Sequence, residues 1–267
     1  MVLDVARRRA PAHLRRDHLM LAAQYAEALS FKVQDSGDLH GAGVWVDRAQ
    51  VWAERARWPD MAAYARVRRS ALASTCTDDG PLALEHATDA LHTPGTSTRI
   101  RGLAAKQAAY GHALAGRPDA THRALDEMTR LLTASSDHRD GTDRGLIAIG
   151  DWQDPDMAHH LFAQARATCD VRLGGGESAI PFLASVRVGT SPNARRNAVN
   201  AARLARAHAQ AGDPDQACVL ALQALSTGTA VDSLSTRVEL RRTLAPLNRW
   251  PARHDVTEVR HQITALP

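Results

Sequence analysis

Aromatic residues are scarce in this sequence of 267 residues: they make up only 4% of it, although hydrophobic residues as a whole reach 44%. Much of the hydrophobic content is alanine. Strands favour aromatic and β-branched side chains, whereas alanine has the highest helix propensity and lets helices pack closely. The composition therefore argues against a β-rich fold and favours an all-α one.

Cysteines are few and widely scattered. Cys76, Cys169 and Cys218 are odd in number, and no two of them form a Cys-x-x-Cys pair. A disulfide framework has an even number of cysteines, and secreted domains use such frameworks far more than cytoplasmic ones. The pattern predicts a reduced protein without disulfides, and we expect it in the cytoplasm.

Long apolar runs are absent as well. No stretch approaches the roughly 20 apolar residues that a membrane helix needs. The chain begins MVLDVARRRAP, where three arginines precede no apolar core, so we expect no secretory signal. We expect no contact with a membrane.

Lysine is almost missing, since Lys32 and Lys106 are the only ones among 33 basic residues, which face 29 acidic ones. The formal net charge of +4 is mild, and acidic residues are interspersed with basic ones. DNA binding needs a clustered face that neutralises phosphates, and residues 1–20 are too few for a helix-turn-helix. Direct DNA binding by the arginine-rich N-terminus is therefore the weakest hypothesis.

A helical hairpin is the dominant pattern in the chain. In residues 21–58, Ala22, Ala26, Leu29 and Val33 recur three or four positions apart, which predicts a helix with one packing face. Gly37 is predicted to end that helix in a left-handed turn, and Asp38 to cap the next one.

The hairpin recurs along the sequence. We predict turn glycines at positions 37, 80, 116, 174 and 212 and further hairpins over 59–92, 98–133, 157–187 and 193–228, closed by a helix pair at 232–266. A hairpin of this kind cannot bury its apolar face alone, so such repeats indicate a solenoid. The predicted organisation is a lead-in segment at 1–18, N-terminal hairpins at 19–133, an irregular connection at 134–156 and C-terminal hairpins with capping helices at 157–267.

Several blocks resemble the tetratricopeptide repeat: AAQYAE, QDSGD, MAAYARVRRSALA, GLAAKQAAYGHALAG and LARAHAQAGDPDQA. In this order, from about Leu19 to Leu266, they are similar to the C-terminal sensor half of actinobacterial helix-turn-helix transcriptional regulators. The resemblance implies a right-handed superhelical solenoid of antiparallel helix hairpins that binds a peptide, a protein partner or a small effector. It also implies self-association as a homodimer.

The N-terminal DNA-binding domain of those regulators has no counterpart in this sequence. We therefore expect DNA to be reached only indirectly, through another protein. The chain would be either a fragment of a regulator or a stand-alone relative.

No catalytic or metal-binding motif stands out. His159 and His160 are adjacent and point to different faces of a helix, and the glycines at 174–176 lie between helices instead of after a strand. We interpret His112 and His208, which precede turn glycines, as partly buried packing groups. No cofactor and no metal are expected. An enzyme or biosynthetic accessory protein on the same scaffold is the alternative, since fold does not determine function.

The candidate binding residues follow from the repeat geometry. The first helix of each hairpin lines the concave side of such a solenoid. Counting back from each turn glycine places thirteen residues there: Gln24, Glu27, Phe31, Gln34, Arg66, Arg69, Ser70, Lys106, Tyr110, Gln164, Thr168, Arg203 and Arg206. They would form a polar, net-positive groove suited to carboxylates, peptide carbonyls and apolar side chains. The sequence thus predicts a non-catalytic binding or regulatory module.

Overall fold

The computed structural model describes residues 11–136, 155–185, 194–231 and 233–266. In these ranges the chain forms helices and turns but no strand, which confirms the all-α prediction. A short 3-10 helix at Ala12–Leu14 precedes twelve α-helices: α1 Arg15–Asp35, α2 Leu39–Arg55, α3 Pro59–Cys76, α4 Gly80–Leu91, α5 Thr98–Leu114, α6 Pro118–Ser136, α7 Pro155–Arg172, α8 Gly176–Ser185, α9 Ala194–Ala211, α10 Pro214–Val231, α11 Leu234–Leu247 and α12 His254–Thr264.

Contacts divide the chain into two compact units. The first comprises Met1–Ala115 and Asp119–Met157, and the second comprises Gly116–Pro118 and Ala158–Pro267. Helices α1 to α6 therefore belong essentially to the first unit, and α8 to α12, with most of α7, to the second.

The first hairpin of the first unit turns at Gly37, whose φ is 92°. The Asp38 carboxylate accepts a hydrogen bond from the backbone N–H of Gly41 at 2.7 Å. Both features confirm the predicted helix stop and cap. The buried side chains of α2 are those of a ladder of small residues: Ala42, Val46, Ala49 and Ala53.

Successive pairs in the first unit stack on one another. Helix α2 packs on α3 and α4 packs on α5, while α3 also contacts α5 and α1 contacts α3 directly. The first helices α1, α3 and α5 are thus neighbours although a second helix separates each pair of them in sequence. This stacking places polar residues of different hairpins against one another.

The turn between α3 and α4 differs from the prediction. Gly80 is the first residue of α4, and the left-handed residue is Asp78, with a φ of 54°. Aspartate enters this region more readily than most other non-glycine residues. Gly80 instead serves a close approach, because a Cβ there would lie 3.1 Å from the carbonyl oxygen of Gly111 on α5.

In the second unit the glycine turns appear where they were predicted, since Gly174 and Gly212 have φ angles of 87° and 93°. Helix α8 approaches α9 so closely that a Cβ on Gly176 would overlap the carbonyl oxygen of Ala207. The closing helices α11 and α12 complete an apolar core against α9 and α10, with these side chains at most 1% exposed: Leu240, Leu247, Val256, Val259 and Ile263.

Several predicted features lie outside the described residues. These include the arginines at 7–9 and most of the connection at 134–156, with its apolar run at 146–149 and Trp152. At the edges of these ranges, α1 already begins at Arg15, α6 extends to Ser136 and α7 begins at Pro155. Among the helices that the structure describes, none combines the length and apolar character that crossing a membrane requires.

Candidate functional site

A buried polar cluster joins the first helices of the first two hairpins. It consists of Glu27, Ser30 and Gln34 on α1 and Tyr64 and Arg68 on α3, and we call it the α1–α3 cluster. All five side chains are buried, and the Glu27 residue is only 2% exposed. Polar groups of this kind persist in an interior only where hydrogen bonds or charges compensate for the lost water.

Arg68 holds the cluster together. Its Nη2 donates to Gln34 Oε1 at 2.9 Å and to Ser30 Oγ at 3.2 Å. Its guanidinium carbon lies 3.6 Å from the centroid of the Phe31 ring, a cation–π contact with a half-buried aromatic residue. A planar guanidinium can stack on a ring and still donate hydrogen bonds in its own plane, so Arg68 fixes three side chains of α1 relative to α3.

The Glu27 carboxylate is the most perturbed group of the cluster. Burial raises the pKa of Glu27 to about 7, against the opposing effects of the Arg68 charge and a hydrogen bond with Tyr64. Within the described part of the chain, no donor reaches Glu27 Oε1. A buried acceptor without a donor is costly, and this oxygen is itself covered by the surrounding side chains, so a bound molecule could reach it only if they moved apart.

Polar contacts continue from α3 to α5. Ser74 Oγ donates to Gln107 Oε1 at 3.3 Å, and both side chains are buried. Lys106 is the residue before Gln107 on α5, and its Nζ lies 5.9 Å from the centroid of the Tyr110 ring, one turn further along. In the first unit, polar contacts therefore join α1 to α3 and α3 to α5.

In the second unit an arginine also joins two first helices, here through an ion pair. Arg203 on α9 forms an ion pair with Glu239 on α11 at 3.2 Å, and Arg242 approaches the same carboxylate at 3.1 Å. Burial alone would raise the pKa of Glu239, but the positive charges of Arg203, Arg242, Arg172 and Arg206 hold it at about 2. Glu239 is thus ionised at neutral pH in spite of its burial.

Helices α7 and α9 are joined by neutral groups. Gln164 Nε2 donates to Asn200 Oδ1 at 2.9 Å, and the Thr168 hydroxyl donates to the backbone carbonyl of Gln164 at 2.7 Å. Gln164 is half-buried and contacts α9 through this hydrogen bond, whereas Thr168 is buried and bonds within α7.

The structure brings several of the predicted residues to contacts between first helices. These are Glu27, Phe31 and Gln34 in the α1–α3 cluster, and Gln164 and Arg203 in the second unit. Lys106 and Tyr110 contact each other within α5, and the Thr168 hydroxyl bonds within α7. Gln24 is half-buried on α1, and Arg206 is half-buried near Glu239.

Three predicted residues of α3 face second helices instead. Arg66 pairs with Glu54 on α2 at 3.2 Å, and Arg69 Nε donates to Asp47 on α2 at 2.9 Å. The Ser70 hydroxyl is fully buried and donates to the carbonyl of Ala83 on α4 at 2.7 Å.

Arg68 was missed by the sequence reasoning for an identifiable reason. It stands ten residues before Asp78, as Glu27 stands ten residues before Gly37. Gly80 was taken as the turn residue in place of Asp78. The predicted binding residues of α3 were therefore placed two positions too far along the helix. Two of the three selected side chains consequently belong to the face that contacts α2.

The buried thiols in the described part of the chain are not activated as nucleophiles. Burial raises the pKa of the Cys169 thiol to about 12 and that of the Cys218 thiol to about 11, so both are protonated at neutral pH. His208 Nδ1 lies 3.1 Å from Asp213 Oδ2 beside the Gly212 turn, and His112 is half-buried. The residues that the structure describes contain no group of three histidine, cysteine or acidic side chains placed to hold a metal ion.

No model of a known protein family matches the chain, and no curated protein matches it either. The assignment of a function therefore depends on the geometry of the helices and their polar contacts.

Proposed function

We propose that this protein is a non-catalytic binding module that recognises a peptide, a protein partner or a small effector along the polar faces of its first helices. The observation that carries the proposal is the α1–α3 cluster, which brings Glu27, Gln34 and Arg68 together on the first helices of two hairpins. One oxygen of Glu27 accepts no hydrogen bond from the described residues, so a ligand that separates the covering side chains would gain an acceptor there.

The chemistry around Glu27 favours a ligand with an N–H group and an apolar part. An amine, an amide or a guanidinium donates to the carboxylate, and a charged donor would also lower its raised pKa. The Phe31 ring, which is half-buried beside Arg68, offers an apolar surface next to this acceptor. A peptide segment supplies both kinds of group.

The stacking of first helices also supports a repeat architecture. Direct contacts of α1 with α3, of α3 with α5 and of α9 with α11 are those expected if the hairpins continue as a right-handed solenoid. In that arrangement the faces of the first helices line the concave surface. The resemblance of the sequence blocks to the sensor half of actinobacterial regulators supports a regulatory role for this surface, with ligand binding reported to a partner protein.

Native mass spectrometry of the protein purified from its own host tests the proposal. We expect a retained mass at one copy per chain. Glu27→Gln, which replaces the acceptor with an amide of the same size, should weaken its retention, while the control Glu85→Gln, at an exposed position of α4, should leave it unchanged.

Three results would argue against the proposal. One is a retained molecule that is chemically converted with time, since that would indicate an enzyme. Another is retention that is indifferent to Glu27→Gln. The third is the failure of both host extract and a random peptide library to yield any ligand dependent on Glu27.

A further inference from the structure

The first helices of the second unit carry more positive charge than their own carboxylates neutralise. On α7, α9 and α11, five arginines accompany two buried acidic residues, Asp170 and Glu239, which are 6% and 2% exposed. We call these seven residues the arginine face: Arg166, Asp170, Arg172, Arg203, Arg206, Glu239 and Arg242. Among them the positive charges exceed the negative ones by three.

Both carboxylates of the arginine face are already engaged by arginine. Arg203 and Arg242 approach the same oxygen of Glu239, at 3.2 Å and 3.1 Å. Arg166 Nε lies 3.2 Å from Asp170 Oδ2, one turn away on α7. Each carboxylate cancels one unit of positive charge, so the excess of the face remains after these pairs have formed.

The spacing of the repeats places Arg206 in the same group. Arg203 pairs with Glu239 across 36 positions, and the contact between α7 and α9 joins residues with the same separation. The same step of 36 leads from Asp170 to Arg206 and from Arg206 to Arg242. Equivalent positions of stacked repeats lie side by side, so these three residues occupy one level of the second unit.

Electrostatic effects on two buried groups show that the arginines converge. Burial acts to raise the pKa of Glu239, and the arginines that hold it at about 2 come from three helices: Arg203, Arg242, Arg172 and Arg206. Burial raises the pKa of the Cys169 thiol to about 12, against the charges of Arg172, Arg166 and Arg203. The positive charges are therefore close enough together to act on a single anion.

Part of this charge reaches the surface. The side chain of Arg166 is 43% exposed, and Arg172 and Arg206 are half-buried. A charge that is partly withdrawn from water attracts an anion more strongly than a fully hydrated one, because the local dielectric constant is lower. A ligand can thus contact these three side chains while the buried pair of Arg203 and Glu239 stays intact.

We propose that the arginine face binds a phosphate group of a small molecule. A phosphate monoester carries a charge of about −1.5 to −2 at neutral pH and has three acceptor oxygens, whereas a carboxylate carries a single charge on two oxygens. The planar guanidinium of arginine donates two parallel hydrogen bonds to such a group. An excess of three positive charges suits this anion better than a carboxylate.

The extent of the face favours a small ligand over a nucleic acid. Arg166 and Arg172 are the most widely separated arginines of the face on any one helix, and the six positions between them span about 9 Å. A single strand needs a longer charged track and aromatic side chains on which its bases stack. Helices α9 and α11 contain no phenylalanine, tyrosine or tryptophan.

This inference rests on the proposed function, because it names the chemistry of an effector that the first helices of the second unit would bind. The two can nevertheless fail separately. Glu27 belongs to the first unit, so Glu27→Gln should leave the affinity for inorganic phosphate unchanged. Retention that depends on Glu27 without any binding of phosphate would defeat this inference alone, and the reverse result would defeat the proposed function alone.

Isothermal titration calorimetry of the full chain with inorganic phosphate and with diphosphate, at constant ionic strength, tests the inference. We expect saturable binding of one anion per chain. Arg206→Gln should raise the dissociation constant about tenfold, since a charge-assisted pair with the anion is lost. The matched control is Arg241→Gln, which removes the same charge from an exposed residue of α11 that donates to the Leu266 carbonyl, and it should have no effect.

A second substitution at the same position separates charge from geometry. Arg206→Lys keeps the charge but loses the paired donors, so we expect a loss in affinity of about threefold, smaller than that of Arg206→Gln. Circular dichroism melting curves show whether each variant is folded. If Arg206→Gln is not, Arg172→Gln at the end of α7 takes its place, with the same expected loss.

Four results would overturn the inference. One is the absence of saturable binding by either anion. Another is an equal loss in Arg206→Gln and Arg241→Gln, which would indicate only general attraction between charges. Acetate that binds as tightly as phosphate would make the face a carboxylate site. Tighter binding of a single-stranded oligonucleotide that is lost in Arg206→Gln would make it a nucleic-acid interface.

Discussion

Arg203 on α9 and Glu239 on α11 form an ion pair at 3.2 Å whose side chains are only 8% and 3% exposed. In the other unit, Arg68 on α3 similarly joins Gln34 on α1 at 2.9 Å. In both units an arginine therefore connects the first helices of neighbouring hairpins. Such contacts fix the rotation of each helix, which apolar packing of small alanines alone specifies only weakly.

Removing one partner of the buried Arg203–Glu239 ion pair should lower the free energy of unfolding strongly. Arg203→Met leaves the Glu239 charge buried with fewer compensating charges, so we expect the free energy of unfolding to fall by about 3 kcal/mol. Urea denaturation measures this change. The control is Arg130→Gln, which removes an exposed pair with Glu127 on α6 and should have little effect. Equal effects of the two substitutions would contradict a structural role for Arg203.

Glu27 should make the protein less stable as the pH rises. Burial raises the pKa of Glu27 from its usual 4.5 to about 7 in the folded state, so between these values the folded chain holds a proton that the unfolded chain has lost. The free energy of unfolding therefore decreases from pH 4.5 to pH 7, by at most about 3 kcal/mol from this group.

Denaturation of the wild type and of Glu27→Gln over this pH range isolates the effect. The variant should lack the decrease and should be the more stable of the two at pH 8. Glu85→Gln should retain it. Identical profiles for the wild type and Glu27→Gln would show that Glu27 titrates normally.

Glu239 should have the opposite effect at acid pH. Although burial acts to raise its pKa, the surrounding arginines hold the pKa at about 2, below the usual 4.5. The stabilisation is complete above pH 4.5 and is lost as the pH falls toward 2, because the unfolded chain binds a proton in this range that the folded chain does not. Acid denaturation should therefore be less steep in Glu239→Gln. A variant as steep as the wild type would contradict the assignment.

Gly176 should tolerate no larger residue. Its absent Cβ leaves room for the backbone of α9, and an added Cβ would lie 2.6 Å from Gln210 Cβ as well as overlap the Ala207 carbonyl. We expect Gly176→Ala to lower the free energy of unfolding by about 1–3 kcal/mol. Gly43→Ala is the matched control: its Cβ would meet only the movable guanidinium of Arg69, so thermal melting should change little. A larger loss for Gly43→Ala would contradict this account.

The fold was largely predictable because helix ends and small-residue ladders are local features. Gly37, Gly174 and Gly212 turn the chain as expected, and Asp38 caps α2. The turn at Asp78 was not predictable in the same way, because an aspartate took the role usually given to glycine.

The positions of individual side chains were harder to predict from the sequence. Leu29 was predicted on the packing face of α1 but is 39% exposed, while the smaller Ala22 and Ala26 are buried. Close helix packing selects for small residues, so the larger apolar side chain is the one left outside. Contacts such as Arg68 with Ser30 join residues 38 positions apart. They depend on the rotation of two helices, which periodicity within each helix does not determine.

Hydrogen–deuterium exchange of the ligand-bound and ligand-free protein tests the central claim most directly. If the polar faces of the first helices bind the ligand, added protection should appear in α1 and α3 around Glu27 and Arg68, and should disappear in Glu27→Gln. Protection confined to second helices such as α2 and α4, or protection that Glu27→Gln leaves intact, would contradict the account.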